Sequence, residues 1–229
     1  MRSAGPLEPN RSHVYVVRAD GAGFRQVTSG GIDFDPALSP DGTRIVFRGR
    51  RGGNDDIYRV NVDGTGFLRL TATSAMDYAP SWSPDGKSVV FASMRGGNYP
   101  HIWVMDANGR HQRLVAGSIT GEYPAFSPDG KRIAFANNSG ATDSGFEIYA
   151  MDADGSHVRR LTRNGLDDMG PAWSPDGRLI AFHRSPGGIG NLPDVWLLRP
   201  DGSQQRRLSL HVGEPNFPSW APRSTAASP

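Results

Sequence analysis

At 229 residues the chain is long enough for one sizeable core or one ring of small units, and nothing in it demands two domains. The absence of cysteine excludes a disulfide framework, a thiolate metal site and a cysteine nucleophile. The net charge is only +2, with arginine and aspartate interleaved throughout and Lys87 and Lys131 the only lysines, so the basic face of a nucleic-acid binder is missing. No apolar run approaches the ~18–20 residues of a membrane span, and Met1 to Arg11 lack the apolar core of a signal peptide.

Residues 1–12 are polar, contain Pro6 and Pro9, and read as an arm or loop ahead of a single domain over residues 13–229. His13–Val17 forms a predicted strand, Ala19-Asp20-Gly21 a turn, and Phe24–Thr28 a second strand. The pair returns at Ile57–Val60, Ile102–Met105, Ile148–Met151 and Val195–Leu198, each followed by an Asp-Gly or Asn-Gly turn. Short closes follow at Leu70-Thr71, Leu114-Val115, Leu161-Thr162 and Leu208-Ser209. Asp-Gly or Asn-Gly between alternating apolar runs is a strong hairpin signal.

Between these pairs stands Ser-Pro-Asp-Gly, at Ser39–Gly42, Ser83–Gly86, Ser127–Gly130 and Ser174–Gly177, with a worn copy at Ala221–Ser224. The spacings are 44, 44, 47 and 47 residues. Pro presets the first corner of a turn, Ser and Asp bond nearby amides, and Gly takes the left-handed position, so the motif predicts a tight hairpin. Leu38, Trp82, Phe126, Trp173 and Trp220 precede it, and Phe47, Phe91, Phe135 and Phe182 end the strand that follows; these are core residues between stacked sheets. Each repeat therefore holds four short strands, a to d. A period near 40–45 residues is that of four-stranded propeller blades.

The predicted fold is an all-β propeller of four-stranded antiparallel blades, with repeats dividing near residues 36, 80, 124, 171 and 218. Five blades are expected. One is split, with strands c and d from residues 13–28 and strands a and b from residues 217–229, so that both termini close the ring. A closed ring is expected to be monomeric, and an open one to associate through its edges. Thr225–Ser228 is poor strand sequence.

With Pro-x-Trp-Ser-Pro-Asp-Gly, Ile-Ala-Phe, Ile-Tyr-x-Met-Asp-x-Asp-Gly and Arg-x-Leu-Thr in place, the chain resembles the WD40-like Pro-Asp repeats of TolB-type β-propellers over residues 13–222. The resemblance implies a periplasmic or exported scaffold, usually of six blades, that binds protein partners around the channel mouth. This sequence shows five repeats, and lacks the separate amino-terminal α/β domain of the family's namesake.

The d-to-a loops share the mouth face and carry an acid before the Pro of strand a: Asp33 and Asp35, Asp77, Glu122, Asp167 and Asp168, and Glu214. Gathered near one mouth, they would raise one another's pKa unless a cation or basic partner sat among them. Three readings stay open. The acids dock an Arg- or Lys-bearing protein segment; or Asp33, Asp77, Glu122 and Asp168 hold calcium or magnesium; or they cap turns and pair with neighbours such as Arg48, Arg51 and Arg95. His13, Asp56, His101, Glu147 and Asp194 share one position ahead of strand c and read as a polar rim.

Other motifs fail. Asp152-Ala-Asp154-Gly155 lacks the closing Glu of an EF-hand, Gly86-Lys87-Ser88 lacks the first glycine of a phosphate-binding loop, and no Gly-x-Ser-x-Gly elbow occurs. The expected function is a non-enzymatic scaffold binding a basic protein or peptide segment at the mouth. The alternative is a propeller gate of a larger hydrolase, or a metal-assisted hydrolase- or lyase-like site using His101 or His13.

Overall fold

The computed structural model describes residues 12–115, 119–138, 145–185, 193–208 and 218–220. Among these residues all regular structure is strand. Blade 1 is β3 (Ile32–Leu38), β4 (Arg44–Arg51), β5 (Asn54–Asn61) and β6 (Leu68–Arg69); blade 2 is β7 (Asp77–Trp82), β8 (Ser88–Ser93), β9 (His101–Asp106) and β10 (Arg113–Leu114). Blade 3 is β11 (Glu122–Phe126), β12 (Arg132–Asn137), β13 (Glu147–Asp152) and β14 (Arg159–Arg160); blade 4 is β15 (Asp167–Trp173), β16 (Ile180–Ser185), β17 (Asp194–Leu198) and β18 (Arg206–Arg207). Each is a four-stranded antiparallel meander, and β1 (Tyr15–Val16) with β2 (Arg25–Gln26) makes a two-stranded sheet. The architecture is a β-propeller with, among the described residues, four complete blades and the outer half of a fifth.

The Ser-Pro-Asp-Gly turns form as their chemistry dictates. In blade 2 the Gly86 amide donates to the Ser83 carbonyl at 2.9 Å, the Ser83 hydroxyl donates to Asp85 at 2.6 Å, and the same hydroxyl oxygen accepts the Ser88 amide at 2.9 Å. The other three copies repeat these contacts, and each motif glycine has positive φ, 71° at Gly42 for example.

Two details differ from the sequence expectation. The fourth strand of blades 1, 3 and 4 ends before the apolar-polar close, and that of blade 2 takes in Leu114 and ends before Val115, because the residues that follow bond in another way. The Leu161 amide donates to the Ile148 carbonyl at 2.7 Å, while the Thr162 hydroxyl accepts the Ile148 amide at 2.9 Å, so a side chain replaces a ladder bond. The first strand of each complete blade also carries a bulge, at Phe34/Ala37, Tyr78/Ser81, Glu122/Ala125 and Met169/Ala172. The residue just before the proline has positive φ in every case: Asp35 51°, Ala79 50°, Tyr123 50° and Gly170 60°.

The core lies between blades. Val46, Ile57 and Leu70 of blade 1 pack on Trp82, Val89, Phe91 and Met105 of blade 2, and the same columns recur at the next two junctions. Trp82 donates its indole NH to the Ala37 carbonyl at 3.1 Å, Trp173 to Ala125 at 3.2 Å and Trp220 to Ala172 at 2.9 Å. Trp220 thus docks on blade 4 where the first strand of a fifth blade is expected. The strand expected over residues 225–229 lies outside the described residues.

Candidate partner-binding face

Strands β3, β7, β11 and β15 neighbour one another and form the inner wall. Their acids fall into two sets, because successive residues of a strand point to opposite sides. Asp33, Asp77 and Asp168 occupy one repeat position and turn into the blades, where all three are buried. Arg51 lies 2.7 Å from Asp33, Arg95 donates to Asp77 at 2.8 Å, and Arg184 donates twice to Asp168 at 2.6 and 2.8 Å.

Each arginine is also stacked between two rings of its own blade. Arg51 lies over Phe47 and Tyr58, Arg95 over Phe91 and Trp103, and Arg184 over Phe182 and Trp196, the last at 4.2 Å from the ring centroid. Asp–Arg–aromatic stacks of this kind hold strands a, b and c together at the mouth end of blades 1, 2 and 4. The rim position behaves likewise: Asp56 pairs with Arg69 at 2.6 Å, Glu147 with Arg160 at 2.9 Å and Asp194 with Arg207 at 3.3 Å.

Blade 3 departs from this pattern. Gly121 stands where the other blades have Asp, and a Cβ there would come within 2.7 Å of Ile102 and 2.9 Å of Phe135. Phe135 and Tyr149 stack directly, with centroids 5.7 Å apart. Asn137, in the column of Arg184, is buried, accepts from the Thr120 hydroxyl at 2.9 Å, and has no partner for its Nδ2. A pocket of about 150 Å³ opens beside it, lined by Tyr99, Pro100, Thr120, Glu122, Asn137 and Phe146 among others, and Tyr99 is 69% exposed.

Glu122 and Asp35 belong to the second set and are half-buried on the inner wall. Burial pushes the Glu122 carboxyl above its usual range, against a hydrogen bond with the Tyr78 phenol. Burial likewise raises Asp35, opposed by Arg48 at 3.7 Å. Tyr123, edge-on to Tyr78 at 6.2 Å, is pushed up to about 12 by burial and by the charges of Glu122 and Asp35. Asp167 lies at the start of β15 and accepts the Phe146 amide at 3.0 Å, and Glu214 lies outside the described residues.

Among the described residues no three of His, Asp and Glu come together as a metal group, and Asp33, Asp77, Glu122 and Asp168 each have separate protein partners. Asp33, Asp77 and Asp168 share one repeat position but each turns into its own blade, while Glu122 stands one position on, so strand alternation sends it to the inner wall. Arg184 escaped the sequence reading. It stands two residues earlier in its repeat than Arg51 and Arg95, so its column gave no signal, although its distance of 16 residues from Asp168 is close to the 18 of the other pairs.

Repeated four-stranded antiparallel blades, with most mouth acids among the described residues paired inside their own blades, define a β-propeller. The family model described as the TolB beta propeller domain matches residues 7–224, and the chain belongs to that family. It is 46% identical over 57 residues to the TolB homologue of Chlorobium luteolum, and 42% identical over 55 residues to the Tol-Pal system protein TolB of Bordetella pertussis. These matches cover 24% and 23% of this chain and 13% of each relative, so the chain aligns with only a small part of the curated relatives' length.

Among solved structures, TolB from Acinetobacter baumannii aligns with a TM-score of 0.78 at 27% identity, over 92% of this chain and 52% of that one. A TolB structure from Agrobacterium tumefaciens aligns at 0.75 and 24% identity, over 86% and 73%. An oligogalacturonate lyase in complex with manganese aligns at 0.60 with 16% identity, over 86% and 58%, which is a likeness of fold alone.

Proposed function

We propose that this propeller is a TolB-like scaffold that captures a basic segment of a protein partner on its mouth face, centred on blade 3. The observation that carries the reading is the open pocket at Asn137, where the Asp–Arg stack of the neighbouring blades is replaced by Gly121 and an unpartnered amide. Its volume suits a single side chain. The amide would donate to a backbone carbonyl, Glu122 would meet an Arg or Lys head, and exposed Tyr99 would cover the stem. Asp35 and Asp167 extend the acidic surface, while Asp33, Asp77 and Asp168 with Arg51 and Arg95 frame it. The relatives named as Tol-Pal system proteins support a protein partner, and by the same resemblance a periplasmic setting. No helix among the described residues is long and apolar enough to cross a membrane.

A random heptapeptide display library panned against the wild type and against Tyr99→Ala/Glu122→Gln tests this. The expected result is enrichment of Arg- or Lys-containing peptides by the wild type and their loss with the variant. Equal enrichment by both proteins refutes the site, and enrichment of acidic or purely apolar peptides refutes the chemistry.

A further inference from the structure

Among the described residues the fifth blade shows two strands, where each of the others shows four. Its strand β1 pairs with β2 on one edge, and among the described residues its other edge is unpaired. Beside that edge runs an apolar groove of about 670 Å³, lined by Val14, Val16, Pro36, Leu38, Ile45 and Val62 among others. Among the described residues, apolar side chains of the two blades beside it are exposed. Leu38 is 59% exposed, whereas Trp82 and Trp173 in its column are 7% exposed. On blade 4, Leu208 is 57% exposed, whereas Leu70, Val115 and Leu161 are 5–7% exposed.

The four complete blades show what belongs in such a slot. It is the second strand, whose central triplets are Ile45-Val46-Phe47, Val89-Val90-Phe91, Ile133-Ala134-Phe135 and Ile180-Ala181-Phe182, all nearly or fully buried. Counting from Trp220 as from Trp173, the chain's own residues at these three positions are Ala227, Ser228 and Pro229. They offer no β-branched side chain, no aromatic ring, and at Pro229 no amide. Their side chains are too small to cover Leu38 and Leu208, since it is the large buried residue of this strand that fills each complete junction.

We propose that the groove is a strand-acceptor site, which takes an extended segment of another polypeptide carrying a β-branched residue, then Val or Ala, then Phe. The segment lies antiparallel to β1. In the register of blade 1, where Ile45, Val46 and Phe47 face Val60, Arg59 and Tyr58, its triplet faces Val17, Val16 and Tyr15. Main-chain bonds to the free edge supply affinity, and the alternate side chains supply specificity.

The test uses the full chain and a fluorescein-labelled peptide with the sequence of Lys131–Asn137, alongside the same peptide with Phe135→Ser. The expected result is saturable binding, weakened at least about tenfold by the serine peptide and by Leu38→Asp, an exposed position whose replacement leaves the fold intact. Because the chain has no cysteine, Val16→Cys reports the register: a peptide with Ala134→Cys should crosslink to it. Binding no tighter than the serine peptide, or indifferent to Leu38→Asp, overturns the proposal. So does ready disulfide formation in Val16→Cys/Ser228→Cys with the peptide excluded, which assigns the slot to the chain's own tail. Self-association abolished by Leu38→Asp, without peptide binding, overturns it in favour of a second copy.

Discussion

Arg184→Met is the sharpest test of the view that the mouth acids are structural. Asp168 is fully buried, Arg184 is 8% exposed, and two charge-assisted bonds of 2.6 and 2.8 Å join them beneath the Trp196 ring. Removing the cation leaves a buried carboxylate with the Asn164 amide, at 2.8 Å, as its other side-chain donor. Orphaning one member of such a pair costs about 3–5 kcal/mol. Replacing both members at once, in Asp168→Leu/Arg184→Met, removes the desolvated charges together and should restore all but roughly 1–2 kcal/mol. Blade 3 is a natural precedent, since Gly121 and Asn137 complete that blade with no ion pair in these columns. Urea unfolding followed by tryptophan fluorescence would measure both variants, with the m-value checked for constancy. A cost below about 1 kcal/mol for Arg184→Met, or a double variant as damaged as the sum of the singles, would refute the reasoning.

Gly121→Ala should cost about 1–3 kcal/mol in the same assay, because the added methyl meets Ile102 and Phe135; a neutral result would mean that those side chains yield. His183 is held neutral by burial, with its pKa lowered from 6.5 to about 4. Since the folded value lies below the unfolded one, its contribution is whole above pH 6.5 and is lost as the pH falls towards 4. The loss is roughly 3 kcal/mol, which His183→Gln should not show. A wild type and variant with parallel stability–pH curves over that window would contradict this. Glu122 has the opposite sign. Its folded pKa is raised above 4.5, so stability falls as the pH rises through that value towards the folded pKa. Glu122→Gln should therefore melt higher than the wild type at pH 7 and alike at pH 4, and a lower melting temperature at pH 7 would sink the argument.

The parts legible in the sequence are those whose chemistry is local. Ser83, Asp85 and Gly86 bond one another within a few residues, so four letters sufficed to place every a–b hairpin, and the Asp-Gly turns did the same for c–d. The bulge could not be read this way. A residue before proline is ordinarily held in the extended region, yet Asp35, Ala79 and Tyr123 take φ near +50° because the inner strands must turn at the channel. The fifth blade was legible through β1, β2 and Trp220.

The sequence left three readings of the acids open, because neighbours along the chain need not be neighbours in space. Asp33 and Glu122 both stand just ahead of a proline, three residues and two residues before it, and that single step puts one inside its blade and the other on the inner wall. Arg184 answers Asp168 from a column two residues removed from Arg51 and Arg95, yet it reaches the equivalent buried carboxylate and lies over the equivalent two rings. What recurs in these repeats is the filled volume at the mouth end of each blade, and the sequence fills it from more than one position. Where blade 3 fills it with Ile102, Phe135 and Tyr149 instead of an ion pair, the polar end of that volume is left to Asn137, whose free amide is what a partner could use.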